Sequence, residues 1–509
     1  MRWFIGTFRG SYEQKTRVML NYSKLKKRVN NLLNNMSQED VDNWLQQDAE
    51  RLKKEIVING NTLIELGYAP AKWFGDAIRI GNELGMDPNS KDFIDFCDSL
   101  LPPPPIELHE DPVPYSFNIR AENDDEVANI QAVKGTMDVL MRTPTVVGGA
   151  IMPDACPTGE PGTIPVGGVV VTKNAIHPAM HSADVCCSVM LTNLGKVDPK
   201  SVLDVAMTTT QFGPGGRKEH GGWEDILYDN KSLTERIEGN YFTKDYIVKA
   251  AKHLGTQGDG NHFFYVGVLE STGDTVIVTH HGSRGFGAAV YKKGMDSAER
   301  FRRALSPSTP KVNAWIPYNE IEGKLYWEAL QIVRDWTKLN HETIHNKVLN
   351  KLKVSIKDRF WNEHNFVFKE GDLFYHAKGS TPLKDEFVPD NHTGLRLVPL
   401  NMAEPVLIVK GETNSGNLGF APHGAGRNTS RAEHHRRNDQ FTKEELFKKE
   451  TEGLDVRFFS GAIDITELPS AYKNAKNVQD QMAEFGLGEV HDRVIPYGCI
   501  MAGEFVKNW

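Results

Sequence analysis

The spacing of hydrophobic and polar positions in this 509-residue chain changes character at a proline run near residue 100. Between Asn21 and Met36, Leu25, Val29, Leu32 and Leu33 recur every three or four residues among lysines and asparagines, the period of an amphipathic helix. Ser37, followed by Gln38, Glu39 and Asp40, reads as an N-cap leading into Val41–Trp44. A second helical unit is predicted from Thr62 through Leu66 and, after a Gly/Pro turn, from Trp73 to Ile80. Pro102–Pro105 end this helical N-terminal region, 1–100, because proline lacks the N–H a helix needs and clashes with the preceding turn. The acidic, proline-containing stretch 101–128 reads as a linker.

From 129 to 509 short β-branched runs take over, as at Gly167–Thr172 and Thr275–Thr279, separated by glycine-rich turns. Helical spacing returns, most clearly over 322–353. This mixture predicts an α+β core, with no internal repeat.

Charge narrows the functional classes. With 59 basic and 67 acidic residues the net charge is −8, so any contact with nucleic acid must come from a local patch. Five cysteines spread over so long a chain are not a disulfide framework, which points to a reducing compartment. The opening Met1–Gly10 holds too short an apolar run for a signal peptide, and no stretch approaches the roughly 20 apolar residues of a membrane span. A cytoplasmic protein is expected.

Candidate chemistry lies in five segments that set metal-ligand residues among small ones: Ser182–Ser188, Gly258–Phe263, Thr279–Arg284, Asn362–Asn365 and Ala421–Arg427. Asp184 and Cys187 could share a metal, and a thiolate with histidines suits Zn²⁺ or another first-row ion better than Mg²⁺. The glycines around Asn261 and His262 would let backbone approach a phosphate. Arg284, beside His280, could clamp a phosphate, and His423 between small residues offers an accessible imidazole near Arg427 and Arg431. Taken singly, each segment also reads as a packed cysteine, a plain glycine turn or a structural histidine. His341-Glu-Thr-Ile-His345 fits the HExxH zinc-protease pattern on a helical stretch, but lies outside the glycine-rich segments.

In their order along the chain these pieces resemble the RtcB family of RNA-splicing ligases. The resemblance covers about 130–509 and rests on Met152-Pro-Asp154, Asp184-x-x-Cys187, Gly260–Phe263, His280-x-Gly-Ser-Arg-Gly285, His364-Asn365, His423–Arg427 with Ser430-Arg431, and Pro469-x-Ala-Tyr-Lys473. It implies a large mixed β-sheet core with surrounding helices. It also implies a GTP- and Mn²⁺-dependent enzyme joining RNA 3′-phosphate or 2′,3′-cyclic phosphate ends to 5′-hydroxyl ends. By position, Asp184, Cys187, His262, His280 and His364 would bind two Mn²⁺ ions, and His423 would form a covalent guanylate. Asn261, His262, Phe263, His364, Asn365, Pro399, Met402, His423, Gly424, Ala425 and Gly426 would surround the nucleotide, and Asp154, Arg284, Arg427 and Arg431 would meet RNA or phosphate.

The chain departs from the family pattern where the nucleotide is selected. Tyr265 stands at a glutamate position, Leu400 and Asn401 interrupt the Pro-Gly-Ser-Met loop, Val406 replaces a serine and Ala502 a lysine; Cys156 and Cys186 replace a histidine and a glycine. Retained ligands beside an altered pocket imply changed nucleotide choice. A divergent nucleotidyl-transferring repair enzyme and a non-catalytic binding paralogue are the alternatives.

Overall fold

The computed structural model describes residues 57–101, 104–217 and 222–505, together with Ser37. The expected helix at 21–36 and the start at 38–44 lie outside the described residues. The chain divides into two compact units, Met1–Pro104 and Pro105–Trp509.

In the first unit, helices span Gly60–Glu65, Phe74–Glu83 and Lys91–Leu100. The Asn59 side chain accepts the Asn61 and Thr62 N–H groups, and Ser90 accepts that of Phe93, so orphan donors at two helix starts are satisfied. Ile58, Leu63, Phe74, Ala77, Phe93 and Cys97 form the core of this unit.

The second unit is α+β, as expected. Its larger sheet runs in the order Asp358–Glu363, Ser188–Gly195, Thr275–His281, Phe263–Leu269, Glu489–Met501, Val406–Lys410, Arg396–Pro399, with Asp455–Phe458 pairing in parallel to Glu489–Met501. A second sheet orders Ser116–Phe117, Val146–Cys156, Val166–Lys173, Leu373–Lys378 and Asn365–Glu370. The stretch expected as a linker is largely built into this unit. The Ile106 N–H donates to the Leu305 carbonyl, Ser116–Phe117 is an edge strand, and a helix already begins at Asp124.

All seven residues of Thr275–His281 are buried, because both faces of the strand are covered. Alternation sends Val276 and Val278 into a cluster with Leu397, Val406 and Met501, while Ile277 packs with Ile344 and Val348 of the long helix Ile321–Leu352. His280 therefore shares a face with Val276 and Val278, whereas Thr279 and His281 face the helix. This parity decides which histidines can meet.

Candidate metal centre and adjoining cavity

Cys187 immediately precedes the strand Ser188–Gly195, His262 precedes Phe263–Leu269, His280 is next to last in Thr275–His281, and His364 follows Asp358–Glu363. These four strands are consecutive neighbours and antiparallel. The start of one thus lies beside the end of the next, and all four residues arrive at one edge of the sheet.

Two groups of ligand atoms form there: Cys187, His280 and His364, and Asp184, Cys187 and His262, each with atoms within 4.8 Å of one another. Cys187 Sγ lies 3.1 Å from His280 Nε2 and 3.6 Å from His262 Nε2. His262 Nε2 is 3.1 Å from Asp184 Oδ2, and His280 Nε2 is 3.1 Å from His364 Nε2. The Asp184 carboxylate sits over Gly282, where a Cβ would fall 2.0 Å from Oδ1, so a larger residue there would displace the carboxylate.

The donor set fits metal binding. His262 Nδ1 faces the Gln257 carbonyl at 2.7 Å and His280 Nδ1 the Asn261 carbonyl at 3.1 Å. A carbonyl only accepts, so both Nδ1 atoms carry the proton and both Nε2 atoms turn lone pairs inward. Burial pushes the His280 imidazole down to about 3 and raises the Cys187 thiol well above its usual range. Neutral imidazoles, a thiol and a carboxylate converging on one point are ligands for a borderline-soft divalent ion, whose binding would release the thiol proton. The buried Nδ1 of His364 has no partner.

The turn carrying Cys187 is tied down by backbone. The Cys186 N–H donates to the Asn365 carbonyl at 2.7 Å, and the His364 N–H to the Cys187 carbonyl at 2.9 Å. Cys186 has φ 58°, a left-handed conformation that glycine adopts most easily, and its side chain packs into the core rather than toward the ligands.

His423 follows the strand Phe420–Pro422, with its ring 4.8 Å from that of His364. Asp154 Oδ2 lies 2.6 Å from His423 Nδ1 and accepts the His423 backbone N–H at 3.1 Å. The carboxylate holds the proton on Nδ1 and leaves the Nε2 lone pair free, an arrangement that could serve a nucleophilic imidazole. Gly426, at φ 70°, lets the loop close over this pair, since a Cβ would fall 2.0 Å from the Asp154 carbonyl.

His423 opens into a cavity of about 280 Å³. Asn261, Phe263, Pro399, Met402, Gly424, Ala425, Gly426, Arg427 and Arg431 line it, with Tyr265, Leu400, Val406 and Cys156. Several residues expected at the ligand stand elsewhere. Asp154 is fully buried behind His423, with Oδ2 on the His423 Nδ1 and backbone N–H. Asn365 spans loops, donating to the Asp184 carbonyl and accepting from the Gly379 N–H. Arg284 lies against Gly258 and donates to the Gly213 carbonyl at 3.3 Å.

Arg427 and Arg431 share the buried carboxylate of Glu467, at 2.9 and 2.6 Å, and the Tyr472 hydroxyl donates to the same group at 2.5 Å. Sequence reasoning missed Glu467. Its only signal was nearness to the Pro469–Lys473 motif, whose Lys473 donates to the Pro153 and Ala155 carbonyls. Ala502 is buried among Phe212, Phe264 and Ile500, off the cavity wall.

The HExxH pair is not a metal site. Each ring nitrogen of His341 and His345 meets a Ser or Thr hydroxyl at 2.6–3.1 Å, on the helix side of the sheet.

An α+β fold here gathers a cluster of residues that could hold a metal ion, with Cys187 common to both groups, beside a histidine held by a carboxylate at a cavity. The particular family follows from comparison: residues 217–502 match the model of the tRNA-splicing ligase RtcB family, and the chain belongs to that family. Asp184 and Cys187 precede the matched span, and the fold brings them to it. The chain is 29% identical over 326 residues to the tRNA-splicing ligase RtcB of Aeropyrum pernix, covering 55% of this chain and 64% of that protein. It is 27% identical over 426 residues to that of Thermococcus kodakarensis (68% and 86%), and 27% identical over 360 residues to the RNA-splicing ligase RtcB of Escherichia coli (64% and 83%). It spans only 34% of the Pyrococcus abyssi relative.

Proposed function

We propose that this chain is an RNA ligase that joins a 3′-phosphate or 2′,3′-cyclic phosphate end to a 5′-hydroxyl end through a nucleotide carried on His423. The observation that carries the reading is His423 itself, held at Nδ1 by Asp154 at 2.6 Å, facing the cavity and adjoining the His364 end of the ligand cluster.

His423 Nε2 attacks the α-phosphorus of GTP, a P–N bond forms, and pyrophosphate leaves. A 2′,3′-cyclic end is first opened by water, which breaks the P–O2′ bond and leaves a 3′-phosphate and a 2′-hydroxyl. The RNA 3′-phosphate oxygen then takes the nucleotide and frees His423, and the 5′-hydroxyl displaces GMP to close the phosphodiester. Asp184, Cys187, His262, His280 and His364 would hold two Mn²⁺ ions with Cys187 shared, and those ions would neutralise phosphate charge. Asp154 stabilises the proton at Nδ1 as charge develops on the ring. Arg427 and Arg431, aligned by Glu467, present N–H groups to phosphate oxygens.

A second reading concerns the nucleotide. Tyr265, Leu400, Met402 and Val406 make one side of the cavity apolar, and the Tyr265 hydroxyl is spent on the Val494 carbonyl at 3.0 Å. Such a wall supplies few acceptors for the N–H edge of guanine, which favours relaxed or altered nucleotide choice. In this reading the N-terminal region 1–100 docks a partner or substrate and the protein works in the cytoplasm. Its described cysteines are free, and no described helix is long and apolar enough to cross a membrane.

The test is incubation with each α-labelled NTP and Mn²⁺, followed by denaturing gels of the parent and His423→Ala. Acid-labile label on the parent alone is expected, and the preferred NTP reports the pocket. Joining of cyclic-phosphate RNA separates ligase from nucleotidyl transfer without joining. An unlabelled, metal-loaded parent would make the protein a binding paralogue.

A further inference from the structure

The HExxH residues that bind no metal lie in a continuous chain of hydrogen bonds behind the ligand cluster. Arg359 Nε lies 2.8 Å from Thr192 Oγ1, which lies 2.7 Å from His345 Nδ1. His345 Nε2 is 2.7 Å from Thr279 Oγ1, and Thr279 Oγ1 is 2.6 Å from His341 Nδ1. His341 Nε2 is 3.1 Å from Ser188 Oγ, which is 3.0 Å from the Cys186 carbonyl and 3.3 Å from that of His281. Thr192, Thr279, Ser188, His341 and His345 are all fully buried.

The two ends give every bond one direction. Arg359 can only donate, and the terminal carbonyls can only accept. Ser188 therefore donates to a carbonyl and accepts from His341 Nε2, leaving His341 Nδ1 as an acceptor. Thr279 has one proton, gives it to His341, and must accept from His345 Nε2. His345 Nδ1 then accepts from Thr192, and Thr192 from Arg359. Each imidazole is neutral and in one tautomer. Burial, which lowers both histidines well below their ordinary range, agrees with this assignment.

The chain ends where local geometry is demanding. Cys186 holds φ 58° without being glycine, and the next residue is the cysteine shared by both ligand groups. Thr279 precedes His280, and His281 stacks on His341 with centroids 3.5 Å apart and planes at 18°. An apolar core would fill the same space with no requirement for matched polar partners. A directed network instead constrains the Cys186 and His281 carbonyls, and with them the backbone bearing Cys187 and His280.

We infer that Thr192, His345, Thr279, His341 and Ser188 are positioning residues for the metal centre, a relay that sets the backbone of Cys187 and His280 from the opposite face of the sheet. The inference rests on the ligand cluster binding a divalent ion, as in the function proposed above. Because the relay contacts backbone rather than ligand atoms, its loss should loosen ligand geometry without removing a ligand.

The probe is Co²⁺ alone, added to the full chain, with affinity read from the ligand-field and thiolate-to-metal absorption and stability from thermal unfolding. Thr279→Val keeps the shape and removes the hydroxyl; Thr279→Ser keeps the hydroxyl and removes a methyl. Thr279→Val should bind Co²⁺ about 10–100-fold more weakly, the usual cost of losing an outer-shell partner, with altered absorption. Thr279→Ser should retain parental affinity and spectrum even where it melts lower. Parental affinity in Thr279→Val would overturn the relay, as would affinities that follow melting temperature in both variants. If Thr279→Val does not fold, Thr192→Val and Thr192→Ser decide by the same criteria. A parent that binds no Co²⁺ would overturn the metal centre itself, a failure distinct from equal binding by parent and variant.

Discussion

On one face of the strand Thr275–His281, His262 and His280 turn lone pairs toward a shared thiol; on the other, His341 and His345 have every ring nitrogen matched by a hydroxyl. Both groups are buried, and both draw on histidines that sequence alone marks as candidate ligands. Burial therefore does not distinguish them. Of the candidate ligands, His262 and His280 have one nitrogen fixed by a carbonyl and the other turned toward further acceptors, an arrangement that a cation relieves. A structural histidine has both nitrogens satisfied by groups able to complement them.

The sharpest way to break this comparison is at the shared ligand. Cys187→Ala should lower metal affinity and nucleotide labelling by more than the about 100-fold that outer-shell changes cost, whereas Cys186→Ala should keep most of both. Equal labelling of the Cys187 variant and the parent would end the two-ion assignment. Next comes Asp154→Asn, which keeps the shape but removes the charge holding Nδ1. A drop of about 10²–10⁴-fold in labelling rate is expected, with Co²⁺ affinity near parental. An unchanged rate would show that Asp154 merely packs.

The two faces should also separate by stability. His345→Leu leaves the Thr192 and Thr279 hydroxyls without their partner and should cost about 1–3 kcal/mol in metal-free urea unfolding. His262→Leu should cost less without metal and abolish the metal-induced rise in melting temperature. A reversed order would mean that the lone-pair criterion misassigns the two faces.

The smallest effect is electrostatic. Asp274, just before the strand Thr275–His281, is held down to about 2 from 3.8, chiefly by the hydrogen bond from Lys357 and despite some opposition from burial. A carboxyl with a depressed folded-state value stabilises above its unfolded value and loses that contribution as pH falls from about 4 toward 2. Urea midpoints at pH 5 and pH 3 should differ less in Asp274→Asn than in the parent. An identical difference would place the acid sensitivity elsewhere.

Much of this protein was legible in its sequence. The β-branched run at 275–279 and the helical period over 322–353 reappear as Thr275–His281 and Ile321–Leu352, because alternation and helical spacing are local properties. The ordered segments named the residues that meet at the cluster and the cavity. Glycine positions such as Gly282 and Gly426 were legible as small, but not as seats for Asp184 and for the Asp154 backbone.

Tertiary structure alone decided what each side chain does. Asp154 and His423 are 269 residues apart, and a carboxylate expected at phosphate holds the His423 imidazole at Nδ1. Arg427 and Arg431 were expected at RNA or phosphate, and the structure adds a buried partner, Glu467, that pairs with both. His341 and His345 share a helical face, as HExxH requires, but their partners come from strands 62 to 153 residues away. Residue type and period are set along the chain, where neighbours are a few bonds apart. Whether a nitrogen meets a hydroxyl, a carboxylate or another lone pair depends on strand register and on which face is covered, and only packing of the whole unit determines those.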